Sequence, residues 1–192
     1  MKIVCLGDSL TFGYGVYKHD CWVSRLASNS TFSVINKGIN GDTSSSLLMR
    51  YDRDLLSMKP ELLILLIGTN DFFYGIEPHR VFDNICFILN DTAQNRITPI
   101  VLCPPPVNSH MAESKWSSYI DYTDVNRNIH ILSQLLNKLC KENSFSYINL
   151  YETFQNHQTN FDQLYLDGVH PTSLGHDLIY KELCKLNLFI LT

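Results

Sequence analysis

A chain of 192 residues with 45% apolar and 18% charged residues can bury one sizeable core and lacks the polar bias of a disordered chain. Its net charge of -4, with no local basic cluster, excludes a general attraction for phosphate backbones, so no nucleic-acid partner is expected. The longest apolar run, "LLILLI" at 62–67, is too short to span a bilayer, which argues against stable membrane insertion.

The opening "MKIVCLGDS" becomes polar too early for a secretory signal, so the expectation is a cytoplasmic protein forming one domain over 1–192. Ile3 to Leu6 reads as a first strand, residues 20–28 as a short helix and "FSVIN" at 32–36 as a second strand. Leu47, Leu48, Tyr51 and Leu55 give a helical stripe over 44–58. "ELLILLIG" at 61–68 is apolar on both faces, as the middle strand of a covered parallel sheet must be. Phe82, Ile85, Cys86 and Leu89 mark a helix over 79–95, and "TPIVLC" at 98–103 a fourth strand that three prolines stop. Residues 107–118 read as polar and irregular. Val125, Ile129, Leu132, Leu136 and Leu139 define a long helix within 119–142, and "FSYINL" at 145–150 a fifth strand. A loop to about residue 171 precedes a last helix carrying Leu174, Leu178 and Leu183. Such alternation predicts an α/β fold, a parallel sheet with helices on both faces. The six cysteines form no CxxC pair and read as buried free thiols; no Cys/His spacing suggests a metal site.

In open parallel sheets ligands bind beyond the carboxyl ends of the strands. Four polar stretches fall there: Gly7-Asp8-Ser9-Leu10, the segment from Asn36 to Thr43, Gly68-Thr69-Asn70-Asp71, and the late loop Asp167-Gly168-Val169-His170-Pro171. Together they supply what acyl transfer needs. The Ser9 hydroxyl is a weak nucleophile until a base takes its proton, and His170 can serve as that base. Asp167, three residues earlier, can fold back to fix the ring; Asp162 competes, but from eight residues away. The N–H groups of Ser9 and Gly41 and the side-chain amide of Asn70 are candidate oxyanion donors, each worth about 10²–10³ in rate.

"GDSL" at 7–10, Gly41 within "NGDTS", "GTND" at 68–71 and "DGVHP" at 167–171 resemble, in order, the four sequence blocks of the SGNH-hydrolase superfamily, the GDSL esterases/lipases. The resemblance spans nearly the whole chain. Each block alone is a weak signal; four in order at strand ends are a strong one. It implies Ser9 as nucleophile, His170 as base and Asp167 as the third triad member, with Gly41 and Asn70 as oxyanion donors. It also implies a three-layer, flavodoxin-like sheet in the order 2-1-3-4-5 and neither a metal nor an organic cofactor. In length and in "GDSLTFGYG" the chain looks most like small bacterial thioesterase/lysophospholipase-type enzymes, whose partner is a small-molecule ester.

Each of these residues also has a plainer reading. Ser9 and Asn70 are common turn residues, Asp8 can brace a turn, Asp42 and Thr43 can cap the helix that follows, and Asp71 can anchor a loop. Aromatic residues crowd the loops, and some of them belong to the core. Phe12, Tyr14, Phe72, Phe73 and Trp116, with Asp8, are the candidate substrate contacts. They do not separate a lipid-type acyl hydrolase from a carbohydrate O-deacetylase. A flavodoxin-like binding module without catalysis is the reading from another class, although no glycine-rich dinucleotide or P-loop fingerprint supports it.

Overall fold

Strand β1 (Lys2–Gly7) is buried along nearly its whole length, and its alternate side chains feed two different cores. In the computed structural model it pairs in parallel with β2 (Ser33–Gly38) on one side and β3 (Leu62–Leu66) on the other. Strands β4 (Thr98–Cys103) and β5 (Ser146–Asn149) extend the sheet in the order β2-β1-β3-β4-β5. The structure describes residues 1–157 and 160–186; the expected domain over 1–192 also includes 158, 159 and 187–192, which lie outside the described residues.

Val4, Leu6, Leu63, Leu65 and Val101 point to one face. There they meet α3 (Ser44–Asp54), α5 (Pro78–Gln94) and α7 (Tyr122–Asn143), through Leu47, Val81, Ile85, Ile129 and Leu132 among others. Ile3, Cys5, Ile64, Leu66 and Ile100 point to the opposite face. They meet α2 (Trp22–Ser28), α8 (Leu150–Gln155) and α9 (Ser173–Cys184), through Trp22, Leu26, Phe154 and Ile179. This is the expected three-layer arrangement. Each fully buried leucine or isoleucine of β3 contributes about 2 kcal/mol by leaving water. All six cysteines are free, and four of them are buried.

Several boundaries differ from expectation. The helix read over 44–58 ends at Asp54 and gives way to a 3₁₀ turn, Leu56–Met58, closed by Lys59 in the left-handed region. The long helix starts at Tyr122 because the Asp121 carboxylate accepts from the Thr123 and Asp124 N–H groups and caps it. The segment 107–118 is not irregular: it holds α6 (Ser109–Lys115), capped by Asn108. The loop before residue 171 contains α8 and a 3₁₀ turn, Phe161–Leu164. Two short helices, α1 (Ser9–Phe12) and α4 (Thr69–Phe73), follow β1 and β3 directly.

One polar group sits deep in the second core. His176, on α9, is fully buried; its Nδ1 accepts from the Trp22 N–H, and its Nε2 has no partner among the described residues. Burial, with Arg25 and His170 adding and Asp20 opposing, pulls its pKa down to about 4. An unfolded chain takes up this proton near pH 6.5, so below that pH the unfolded state binds more protons and stability falls. The expected loss is about 2 kcal/mol by pH 5 and on the order of 3 kcal/mol below pH 4. Asp8 acts with the opposite sign, because burial raises its carboxyl to about 7. The difference between parent and His176→Asn therefore isolates the histidine. In urea titrations at pH 7.5 and pH 5, the variant is expected to lose about 2 kcal/mol less than the parent between the two.

Candidate active site

The register aligns the carboxyl ends of the three neighbouring strands: Gly7 lies opposite both Gly38 and Leu66. The segments that leave β1, β2 and β3 therefore emerge side by side. After β1 the chain turns at once into α1, because the Asp8 carboxylate accepts from the Leu10 N–H and caps the new helix. Ser9 takes the first helical position, where its own N–H has no acceptor in the preceding turn. A hydrogen bond from the Trp22 indole to the Leu10 carbonyl and one from the Asn36 amide to the Thr11 carbonyl fix this turn.

The fourth segment leads into α9. An antiparallel bridge between Tyr165 and Pro171 closes a tight loop, and Gly168 holds its bend at φ 94°. The loop packs against α6 so closely that a Cβ on Gly168 would lie 2.3 Å from the Ala112 nitrogen. The Asn108 N–H donates to the Gly168 carbonyl at 2.8 Å and completes the contact.

These elements bring Ser9, His170 and Asp167 into one hydrogen-bonded line. His170 Nε2 lies 3.1 Å from Ser9 Oγ, and His170 Nδ1 lies 2.7 Å from Asp167 Oδ2. Asp167 Oδ1 accepts from the Val169 and His170 N–H groups at 2.9 and 2.8 Å. Burial works against charge on Asp167. The hydrogen bonds from the His170 ring and main chain and from Val169 outweigh it and hold the carboxyl below its usual range. An ionised carboxylate only accepts, so the imidazole carries its proton on Nδ1 and turns the Nε2 lone pair to the Ser9 hydroxyl. Ser9 and His170 are 6% and 3% exposed, so little water competes for this contact. The competing carboxylate, Asp162, is engaged elsewhere: it accepts from the Asn108 amide at 2.7 Å.

The donors expected for an oxyanion stand on the neighbouring segments. Gly41 adopts φ 81°, a conformation that disfavours any side chain, and no atom lies within 4 Å of where a Cβ would be. Neither the Ser9 nor the Gly41 N–H has a hydrogen-bond partner among the described residues. The Asn70 amide donates one hydrogen to the Asp42 carbonyl at 2.9 Å, which leaves the second available.

The expected substrate contacts separate into two groups. Tyr14 and Trp116, both partly exposed, flank the His170 ring with centroids 4.4 and 4.9 Å away. Phe12 is exposed but lines a cavity of about 400 Å³ with Val16, Cys21 and Asn36, to which none of Ser9, Asp167 and His170 contributes. Three candidates are turned inward or used locally. Asp8 is buried and used by the turn it caps. Phe72 faces the core from α4, and Phe73 packs on the same core, edge-on to Tyr122. Asp71 anchors a loop, as its plainer reading had it, accepting from the Ser44 N–H and hydroxyl. Asp42 does not cap α3; Thr43 does, and the Asp42 carboxylate pairs with Arg50. Arg50 was missed in the sequence. Its only signal is a charged residue three positions after Leu47 on an inward helical stripe.

The three-layer α/β/α sheet thus brings a serine, a histidine and a carboxylate into contact at its carboxyl edge. The GDSL-like lipase/acylhydrolase family matches residues 5–178, and the chain belongs to that family, within the SGNH hydrolases. Over 102 residues it is 30% identical to the thioesterase 1/protease 1/lysophospholipase L1 of Escherichia coli (strain K12), covering 52% of this chain and 49% of that one. Over 126 residues it is 27% identical to the arylesterase of Vibrio mimicus, covering 62% of this chain and 63% of the relative. The chain thus spans about half to just under two thirds of these relatives' length. Among solved structures, the lipase/acylhydrolase from Enterococcus faecalis superposes with a TM-score of 0.78 at 22% identity, covering 97% of this chain and 94% of the other. A lipolytic protein of the G-D-S-L family from Veillonella parvula superposes at 0.82 with 20% identity, covering 97% of each chain. Among the described residues, no helix is long and apolar enough to cross a membrane.

Proposed function

We propose that residues 1–192 form a single hydrolase domain that cleaves carboxylic esters or thioesters of apolar acyl groups through an acyl-enzyme on Ser9. The hydrogen-bonded line from Ser9 Oγ through His170 to Asp167 carries this reading. His170 Nε2 takes the hydroxyl proton as Ser9 Oγ bonds to the carbonyl carbon, and Asp167 stabilises the imidazolium. The N–H groups of Ser9 and Gly41 and the Asn70 amide hold the developing oxyanion. Collapse of the tetrahedral intermediate breaks the bond to the alcohol or thiol, which leaves with the proton from His170. Water, deprotonated by the same ring, then attacks the acyl-Ser9 ester, releases the acid and returns the proton to Ser9.

The aromatic faces of Tyr14 and Trp116 beside His170 support an apolar acyl portion. They would stack equally on a sugar, which keeps O-deacetylation of acetylated carbohydrates as the alternative outcome. A fluorophosphonate probe is expected to label the protein once, on the peptide containing Ser9; labelling elsewhere, or none, overturns the mechanism. With p-nitrophenyl esters from acetate to decanoate, kcat/KM is expected to hold or rise with chain length. A sharp fall beyond acetate transfers the assignment to the deacetylase.

A further inference from the structure

Arg50 stands on the inward face of α3 and is 7% exposed, with three separate obligations for its guanidinium. Its Nη2 donates to the Gly7 carbonyl at 2.9 Å, two residues before Ser9. Its Nε donates to the Asp42 carboxylate at 2.6 Å, directly after Gly41. Its Nη1 donates to Asp54, one helical turn along α3, at 3.1 Å. The same Asp42 offers its main-chain carbonyl to the Asn70 amide. One planar fork therefore touches the turn that leads into Ser9 and the loop of Gly41, and through Asp42 it reaches Asn70.

We infer that Arg50 is a positioning residue for the oxyanion donors: it fixes the Gly41–Asp42 loop against the end of β1, so that the Ser9 N–H, the Gly41 N–H and the Asn70 amide share one focus. The inference rests on the oxyanion roles proposed above. Its physical basis is rigidity. The Gly41 segment is a short connection with a positive-φ glycine, held besides by Ile39 N–H to the Gly7 carbonyl, Asp42 N–H to the Ile39 carbonyl and the Asn70 amide to the Asp42 carbonyl. A donor displaced by 1 Å loses most of its transition-state value. A guanidinium presents its donors in a fixed plane, which an ammonium cannot reproduce. The third arm, to Asp54, locks the fork itself; Asp54 is also held by Lys37 and Arg53.

A purely structural Arg50 and a positioning Arg50 differ in their kinetics. Arg50→Met is expected to lower kcat roughly 30- to 100-fold with KM nearly unchanged. It is also expected to weaken an arylboronic acid, which forms a tetrahedral adduct with Ser9, by a similar factor. Binding of the free carboxylate product should not change. Arg50→Lys keeps the charge and is expected to regain stability but only part of kcat. Met49→Gln, which alters an exposed neighbour on α3, leaves turnover at the parent level.

The deciding measurement is a double-mutant cycle with Asn70→Ala. Arg50 acts in part through the Asn70 amide and in part directly on the Gly41 loop, so Arg50→Met in the Asn70→Ala background should cost several-fold less than it does in the parent. Full multiplication of the two effects, or a parental kcat in Arg50→Met, overturns the inference. Should Arg50→Met not fold, Asp42→Asn carries the same cycle, because the Asp42 carboxylate is the link from Arg50 to the loop. A parental rate in Asn70→Ala itself marks the other failure, that of the Asn70 oxyanion role, and Arg50 falls with it.

Discussion

Ser9→Ala is expected to lower kcat roughly a millionfold on p-nitrophenyl acetate, while KM shifts little and the fold is retained. The hydroxyl makes a single hydrogen bond, to His170 Nε2, and it occupies the first position of a helix whose cap is the neighbouring Asp8. Removing it deletes the bond-forming atom without touching the cap, the core or the donors on the adjacent loops. One hydrogen bond contributes about 1 kcal/mol, so Tm is expected to move by no more than about 2–4 °C. The residual rate, on the order of 10³ above the uncatalysed reaction, reports the oxyanion donors and substrate binding alone. Turnover within tenfold of the parent, measured on protein free of contaminating esterase, would remove Ser9 as the nucleophile.

Asp167→Asn is expected to lower kcat by about 10⁴, again with little change in KM. The carboxylate accepts three N–H bonds, two from the main chain at Val169 and His170 and one from the imidazole. An asparagine oxygen can still accept the two main-chain donors and preserve the loop. Its amide nitrogen then faces His170 Nδ1 and donates to it, which drives the ring proton to Nε2, where it confronts Ser9 Oγ. The base is present but in the wrong tautomer. Asp167→Ala differs in kind: it also removes the acceptors that shape the 167–170 turn, so it is expected to lower thermal stability as well as kcat. Heteronuclear NMR of the ring nitrogens checks the assignment, since the proton should reside on Nδ1 in the parent and on Nε2 in Asp167→Asn.

The strands were legible because each is a short apolar run between turn residues, and the candidate site was legible because its residues follow those runs. A strand end gives a place in the fold before any contact is known. Four of the short helices were not legible. α1, α4, α6 and α8 are too short to display a stripe, and α6 turns only Ala112 fully inward. The aromatic residues show a second limit. Phe72, Phe73, Tyr14 and Trp116 look alike as letters beside polar motifs. Side-chain direction, set by α4 for the first two and by loop or helix-end positions for the others, sends one pair to the core and the other to His170. Arg50 was hidden for the converse reason: an arginine on a helix is usually solvated, and nothing local announces its three acceptors.

The seating of Gly168 against Ala112 has an implication for redesign. The same seven-residue helix that receives the bend of the histidine loop delivers Trp116 at its far end. In the proposed hydrolase, the support of the His170 loop and of Trp116 is thus shared. Grafting a foreign 108–116 segment to retune selectivity would tilt the imidazole along with the indole, so altered specificity by that route comes with slower chemistry unless the glycine's landing site is carried over intact.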